Sequence, residues 1–197
     1  MARAQWVSEE VMDMILKAMM PANRLAVEVS LHTGLRIGDV LALRTDTVQR
    51  TARPYVRDSK TGKLHRISLP FELRAALLAG AGKVYVFPGR LDPLKHRSRA
   101  AVYKDMRHAV EVVKRAGWVE KGAQISPHSA RKVAAVRAFQ KGGFQAAQAL
   151  LQHDQDHPLV TMVYALSDRP EALPPPSRRR RSSKRARSRR RAQKGHS

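Results

Sequence analysis

The chain contains no cysteine. That excludes disulfides, Cys-based zinc sites and thiol nucleophiles, and it fits a reducing compartment. Acidic residues are scarce: 16 Asp and Glu stand against 38 Lys and Arg, a formal charge of +22 over 197 residues. An imbalance of that size points to a polyanionic partner, the plainer alternative being a solubilising excess of charge. No apolar run approaches the roughly 20 residues of a membrane span, and the N-terminus lacks the apolar core of a secretory signal. A soluble, cytoplasmic protein with no membrane partner is therefore expected. No Gly-rich Walker-type loop and no internal repeat is present.

The positive charge is uneven. Residues 178–197 hold nine Arg and two Lys without an acid, which is half of the whole excess. Leu173-Pro-Pro-Pro-Ser leads into this run, whose Arg/Ser composition has no apolar periodicity to bury. The chain accordingly divides into a folded unit, 1–170, and a disordered, Pro/Arg-rich basic tail, 171–197. Arg178, Arg179, Arg180, Arg181, Lys184 and Arg185 are the tail's candidate polyanion contacts. Such a run neutralises phosphates without reading bases, so sequence-blind tethering to DNA is the favoured role. RNA binding, a localisation signal or simple solvation are the others.

Within 1–170 the pattern is mainly helical with a small antiparallel hairpin. Residues 7–20 predict a first helix with Ser8 as cap, Glu9 and Glu10 at its positive end, and an apolar stripe of Val11, Ile15 and Met19 ended by Pro21. Residues 22–31 predict a more apolar, central helix. Thr33-Gly34 reads as a turn, and Arg36 begins a third helix reaching to Arg44. Tyr55–Asp58 and Leu64–Leu69 flank the polar tip Ser-Lys-Thr-Gly-Lys, a hairpin signature. Pro70 opens a short helix that Gly80 closes, and Lys83–Phe87 reads as a brief strand. A helix over 99–116 stops at Gly117. Another starts at Pro127 with Ser126 as cap and runs to about Gln140; Gly142-Gly143 breaks it, and Phe144–Leu151 continues. A last short helix after Pro158 carries Thr161 and Tyr164.

Taken singly, the polar residues are ordinary. Arg36 with Asp39 reads as an intrahelical pair, Lys60 as a solvated turn lysine, His128 as a helix-terminal histidine and Tyr164 as a half-buried aromatic. His128 and Arg131 are three apart on one helix, however, and an imidazole beside a guanidinium makes a good phosphate site. A tyrosine within reach of that phosphate could attack it.

Jointly the pieces form an ordered pattern: His32-Thr-Gly-Leu-Arg36-Ile-Gly-Asp39, then Ser59-Lys60-Thr-Gly with Ile67-Ser-Leu-Pro70, then Val86-Phe87-Pro88, then Pro127-His128-Ser-Ala-Arg131, then Leu150-Leu-Gln-His153, then Thr161-Met-Val-Tyr164. Over roughly residues 7–167 the chain resembles the catalytic domain of the tyrosine recombinases, the phage-integrase family. The resemblance implies a site-specific recombinase acting on double-stranded DNA through a 3′-phosphotyrosyl intermediate, with neither metal nor other cofactor. Arg36 and Arg131 would grip the scissile phosphate and Asp39 would orient Arg36. Tyr164 would be the nucleophile and His128 would assist its proton. Lys60 would protonate the leaving 5′-oxygen, and His153 would stand in the second histidine position. Free tyrosine titrates near 10, so neighbouring cations and the phosphate must activate it.

The chain departs from the family pattern in two places. Gln152 replaces the usual Gly before the second histidine, and the spacing to Tyr164 keeps His157 as a rival to His153. Typical members also carry a preceding helical domain that closes over the DNA. This chain begins almost at the catalytic domain, so half a clamp is expected. His153-Asp-Gln-Asp-His157 superficially suggests a metal, but Pro158 and the lack of a third ligand argue against it. Family members act as tetramers on paired sites, so copies of the chain are candidate partners. The competing functions are a type IB topoisomerase and a non-catalytic DNA-binding relic or accessory protein.

Overall fold

The computed structural model of the chain describes residues 4–151. Seven helices and one two-stranded sheet are found there: α1 (Glu9–Lys17), α2 (Pro21–Thr33), α3 (Ile37–Leu41), α4 (Thr45–Arg50), β1 (Tyr55–Arg57), β2 (Leu64–Arg66), α5 (Phe71–Ala79), α6 (Arg99–Arg115) and α7 (Pro127–Leu151). The expected mainly helical architecture with a small antiparallel hairpin is what the chain adopts. The last helix expected from sequence, with Thr161 and Tyr164, and the tail from 171 lie outside the described residues.

Helix α2 is central, packing on α1, α3, α5, α6 and most extensively on α7. Ala26, Val27 and Val29 on α2 are fully buried, as are Ile15 on α1, Val102 and Met106 on α6, and Ala130 and Ala135 on α7. Each Val, Ile or Met side chain shut away in this manner contributes about 1.5–3 kcal/mol, and each Ala methyl less. Ser8 caps α1 by accepting the Val11 amide at 3.3 Å. The buried residues of that helix are Met12, Ile15 and Leu16, with Val11 only half-buried. Its apolar face is thus turned slightly from the predicted stripe.

Pro21 starts α2 rather than merely ending α1, because its missing N–H is one the first helical turn leaves unbonded anyway. Met20 offers no side-chain cap. Asp105 of α6 substitutes, its Oδ2 accepting the Met20 amide at 3.0 Å and the Asn23 side-chain amide at 2.8 Å.

Three further boundaries differ from expectation. The helix after Arg36 stops at Leu41, and a separate α4 follows. Residues 83–87 form no strand; they are stitched to the α3–α4 connection by Thr45 N–H to the Val84 carbonyl at 3.1 Å and Val86 N–H to the Leu43 carbonyl at 3.0 Å. The hairpin ladder is also shorter, its register pairing Tyr55 with Arg66, Val56 with His65 and Arg57 with Leu64. At Gly142-Gly143 the helical backbone is interrupted, as the two glycines suggested, with φ of +71° at Gly143.

Candidate active site

Two turns and one helix N-terminus build the site. Gly34 closes α2 in the left-handed conformation, φ +69°, with its amide bonded to the Ser30 carbonyl at 2.9 Å. Ser30 and Thr33 fix the exit: Ser30 Oγ donates to the Leu35 carbonyl at 2.7 Å, and Thr33 Oγ1 accepts the Leu35 amide at 3.3 Å. Arg36 therefore leaves the turn in extended backbone as the N-cap residue of α3. A Cβ on Gly34 would meet both the side chain and the carbonyl oxygen of Leu150 at 2.9 Å, so this turn sits hard against the end of α7.

The hairpin is the second part. Asp58, at the end of β1, is 5% exposed. Its Oδ1 accepts the Lys60 amide at 2.8 Å and the Thr61 amide at 2.9 Å, tying the tip into a turn. Its Oδ2 accepts from Nη1 of Arg36. Burial works against the Asp58 carboxylate, but the Thr61 and Lys60 amides and the Arg36 charge outweigh it and hold its pKa below the ordinary value. The Lys60 side chain is exposed at the tip.

Asp39, expected to orient Arg36, does something else. It is buried on α3, and its Oδ1 accepts the Ser59 amide at 3.1 Å. Thus the acid three residues along the helix holds the hairpin backbone, while the acid 22 residues away holds the guanidinium. Both carboxylates bind the segment that carries Lys60.

The N-terminus of α7 is the third part. Ser126 Oγ accepts the His128 amide at 3.3 Å and the Ser126 carbonyl accepts the Ser129 amide at 2.8 Å, securing the first turn. Arg131 is 3% exposed, not the surface residue that its position suggests in isolation. Its Nη1 donates to the Gly34 carbonyl and its Nη2 to the Leu151 carbonyl at 2.7 Å. Its guanidinium plane is therefore fixed against the turn that presents Arg36. His128 is half-buried, and burial followed by the charges of Arg131, Arg36 and Lys132 pushes its pKa down. A neutral imidazole among three cations is a proton acceptor in waiting.

Arg36, Lys60, His128 and Arg131 thus belong to one connected region, with Asp39 behind the hairpin. His153 and Tyr164, and the rival His157, lie outside the described residues, as does the constellation weighed as a metal site. Sequence reasoning missed three members. Asp58 adjoins the Ser-Lys-Thr-Gly motif and from sequence reads only as a strand end. Lys132 is buried beside Arg131. His65 reads as part of a strand, yet its pairing opposite buried Val56 and its two-residue spacing from buried Ile67 turn it inward, and its ring feels Asp58, Arg131, Asp39 and Arg36.

The fold is the one seen in tyrosine recombinase catalytic domains. A lambda integrase dimer bound to a COC′ core site matches with a TM-score of 0.68 at 21% identity, covering 88% of this chain and 65% of that one. XerA recombinase matches at 0.63 and 20%, covering 82% and 58%. A lambda integrase tetramer bound to a Holliday junction matches at 0.66 and 20%, covering 88% and 52%. The chain therefore spans about two thirds or less of these three solved chains. No curated protein matches it significantly. The phage integrase family model matches residues 5–169, and the chain belongs to that family. Among the described residues no helix is long and apolar enough to cross a membrane.

Proposed function

We propose that the chain is a site-specific recombinase that cleaves and rejoins double-stranded DNA through a 3′-phosphotyrosyl intermediate on Tyr164. The observation that carries this reading is the convergence of Arg36, held by Asp58, and Arg131, held by the Gly34 and Leu151 carbonyls, beside His128, whose pKa burial lowers first and both guanidinium charges lower further. Such a grouping suits one backbone phosphate. Arg36 has Nη1 committed to Asp58 and keeps further N–H groups on a side chain that is 26% exposed. Arg131, anchored from behind, supplies fixed positive charge to the oxygens that gain charge at the pentacoordinate phosphorus.

The Tyr164 oxygen attacks phosphorus and its proton passes to His128. The phosphorus–O5′ bond breaks as Lys60 delivers a proton to the leaving oxygen. His153 adds a hydrogen bond to the phosphate. The phosphotyrosyl ester retains the energy of the broken strand, so the reverse sequence rejoins a 5′-hydroxyl without ATP or metal. The lambda integrase neighbours are a core-site-bound dimer and a junction-bound tetramer, which supports copies of this chain acting together on paired DNA sites. The basic tail adds sequence-blind DNA affinity.

The test is incubation of the full chain, in EDTA, with a pool of nicked duplexes of randomised core sequence. The expected product is a covalent adduct mapped by peptide sequencing to Tyr164, absent in Tyr164→Phe. DNA binding with no adduct would leave a binding protein, and supercoil relaxation without exchange between sites a topoisomerase.

A further inference from the structure

Two buried polar atoms of the site, Oδ2 of Asp39 and Nε2 of His65, have no hydrogen-bond partner among the described residues. One is a carboxylate acceptor; the other is a ring nitrogen that donates when it carries the proton. Buried polar groups in folded proteins are nearly always satisfied, so two orphans of complementary kind in one region call for a common explanation.

Their surroundings supply it. Asp39 Oδ1 already receives the Ser59 amide, one residue before Lys60. His65 lies on the returning strand, opposite Val56 on the inward face of the hairpin, with Asp58 two residues beyond Val56 on that same face. The outward face carries Tyr55, Arg57, Leu64 and Arg66, all exposed. The charged groups that act on the His65 ring are Asp58 from the hairpin, Asp39 and Arg36 from the α3 region and Arg131 from α7. Asp39 grips the hairpin on the outgoing side of the tip, the side that the Arg36–Asp58 pair also holds, and its second oxygen faces no partner on the returning strand.

We infer that His65 is a positioning residue: its Nε2–H closes on Asp39 Oδ2 when the hairpin docks, giving Asp39 one grip on each side of the tip and setting Lys60 against the scissile phosphate. This rests on the proposed function above. The bond is made by a neutral imidazole in the Nε2–H form and needs no net proton uptake. It adds a grip on the returning strand to those already on the outgoing side, removing the remaining freedom that would carry the lysine away from O5′.

The test compares two substrates that differ only in the leaving atom. One is a nicked duplex chosen from the randomised pool because the wild-type chain forms an adduct on it. The other is the same duplex with sulfur in place of the bridging 5′-oxygen at the scissile phosphate; a thiolate departs without a proton from Lys60. His65→Ala is expected to slow cleavage of the oxygen ester by on the order of tenfold to a hundredfold, at or below the range for removing a general acid itself. It should cleave the sulfur ester nearly as fast as the wild-type chain. His65→Gln, which keeps a side-chain N–H donor, should recover part of the loss, and Lys60→Ala with His65→Ala should be no worse than Lys60→Ala alone. Unimpaired oxygen-ester cleavage by His65→Ala overturns the inference, and so does equal impairment on both substrates. Absence of a wild-type adduct on every duplex overturns the function itself.

Discussion

Arg36 and Asp58, far apart in sequence, form an ion pair in which the aspartate is almost wholly buried. Because the same carboxylate also accepts the Lys60 and Thr61 amides, the phosphate-gripping arginine and the turn bearing the candidate general acid share one anchor. A change in either is transmitted to the other through a single side chain.

Replacing that anchor should loosen both. Asp58→Ala leaves two turn amides and a guanidinium short of an acceptor, which costs about 1–3 kcal/mol. The expected result is a lower urea midpoint together with faster hydrogen exchange at Lys60 and Thr61. Asp58→Asn, which keeps an oxygen for the two amides, should show less of both. The pH sign follows from the depressed carboxylate: its stabilising contribution is present above the ordinary Asp pKa and is lost as pH falls through the lower, folded-state value. The variants should therefore lose part of the acid limb of the wild-type stability curve. An unchanged exchange rate at both amides would show that the turn does not depend on Asp58.

Gly34 is the second sensitive point. Its φ of +69° costs a residue with a side chain about 1–2 kcal/mol. An added Cβ would also overlap Leu150, whose backbone cannot easily give way, for a further cost of about 1–3 kcal/mol. Gly34→Ala is expected to lower the urea midpoint without changing the slope. The end of α7 should be displaced, visible as shifted amide resonances at Leu150 and Leu151. A variant as stable as the parent would mean that α7 is not seated against this turn.

Most of the fold was legible because its punctuation is local. Pro70 and Gly80 bracket α5, Gly117 follows α6 in a left-handed turn, and the double glycine interrupts α7. Those signals act within a few residues, where steric rules dominate. What escaped depends on tertiary partners. The cap of α2 is supplied by Asp105 from another helix, and residues 83–87 are held by Leu43 and Thr45 instead of forming a strand. The ordered motifs pointed to Arg36, Lys60, His128 and Arg131, but not to the reassignment of carboxylates. An acid at i+3 on a short helix reads as the partner of Arg36; only the folded hairpin brings Asp58 closer and turns Asp39 toward Ser59. His65 was invisible for the same reason, since its meaning comes from strand register.

Arg131 should prove structural as well as chemical. It is buried, and two backbone carbonyls from α2 and α7 depend on its Nη1 and Nη2. Arg131→Ala leaves each short of a buried donor, at about 1–3 kcal/mol per group. Loss of adduct formation in this variant is thus to be read beside its melting curve. Arg131→Lys keeps the charge but cannot span both carbonyls, so it should sit between wild type and alanine in stability while remaining severely impaired in cleavage. A fully stable alanine variant would show that Gly34 and Leu151 are joined by other means.

His128 carries the clearest pH dependence. Burial comes first among the causes that lower its pKa, and Arg131, Arg36 and Lys132 add to it. In the unfolded chain the same imidazole titrates near 6.5. As pH falls below that value the unfolded state takes up the proton first, so His128 lowers stability progressively until the folded-state pKa is reached, after which the difference is constant. His128→Asn should remove that part of the slope, measured as urea stability between about pH 7 and 5. Its imidazole resonances in the free protein should titrate with a midpoint below 6.5. A bound phosphate oxyanion offsets the neighbouring cations, so adding vanadate or a nicked duplex should move the midpoint upward. A midpoint at or above 6.5 in the free protein would show that burial and the neighbouring cations do not keep the His128 imidazole neutral.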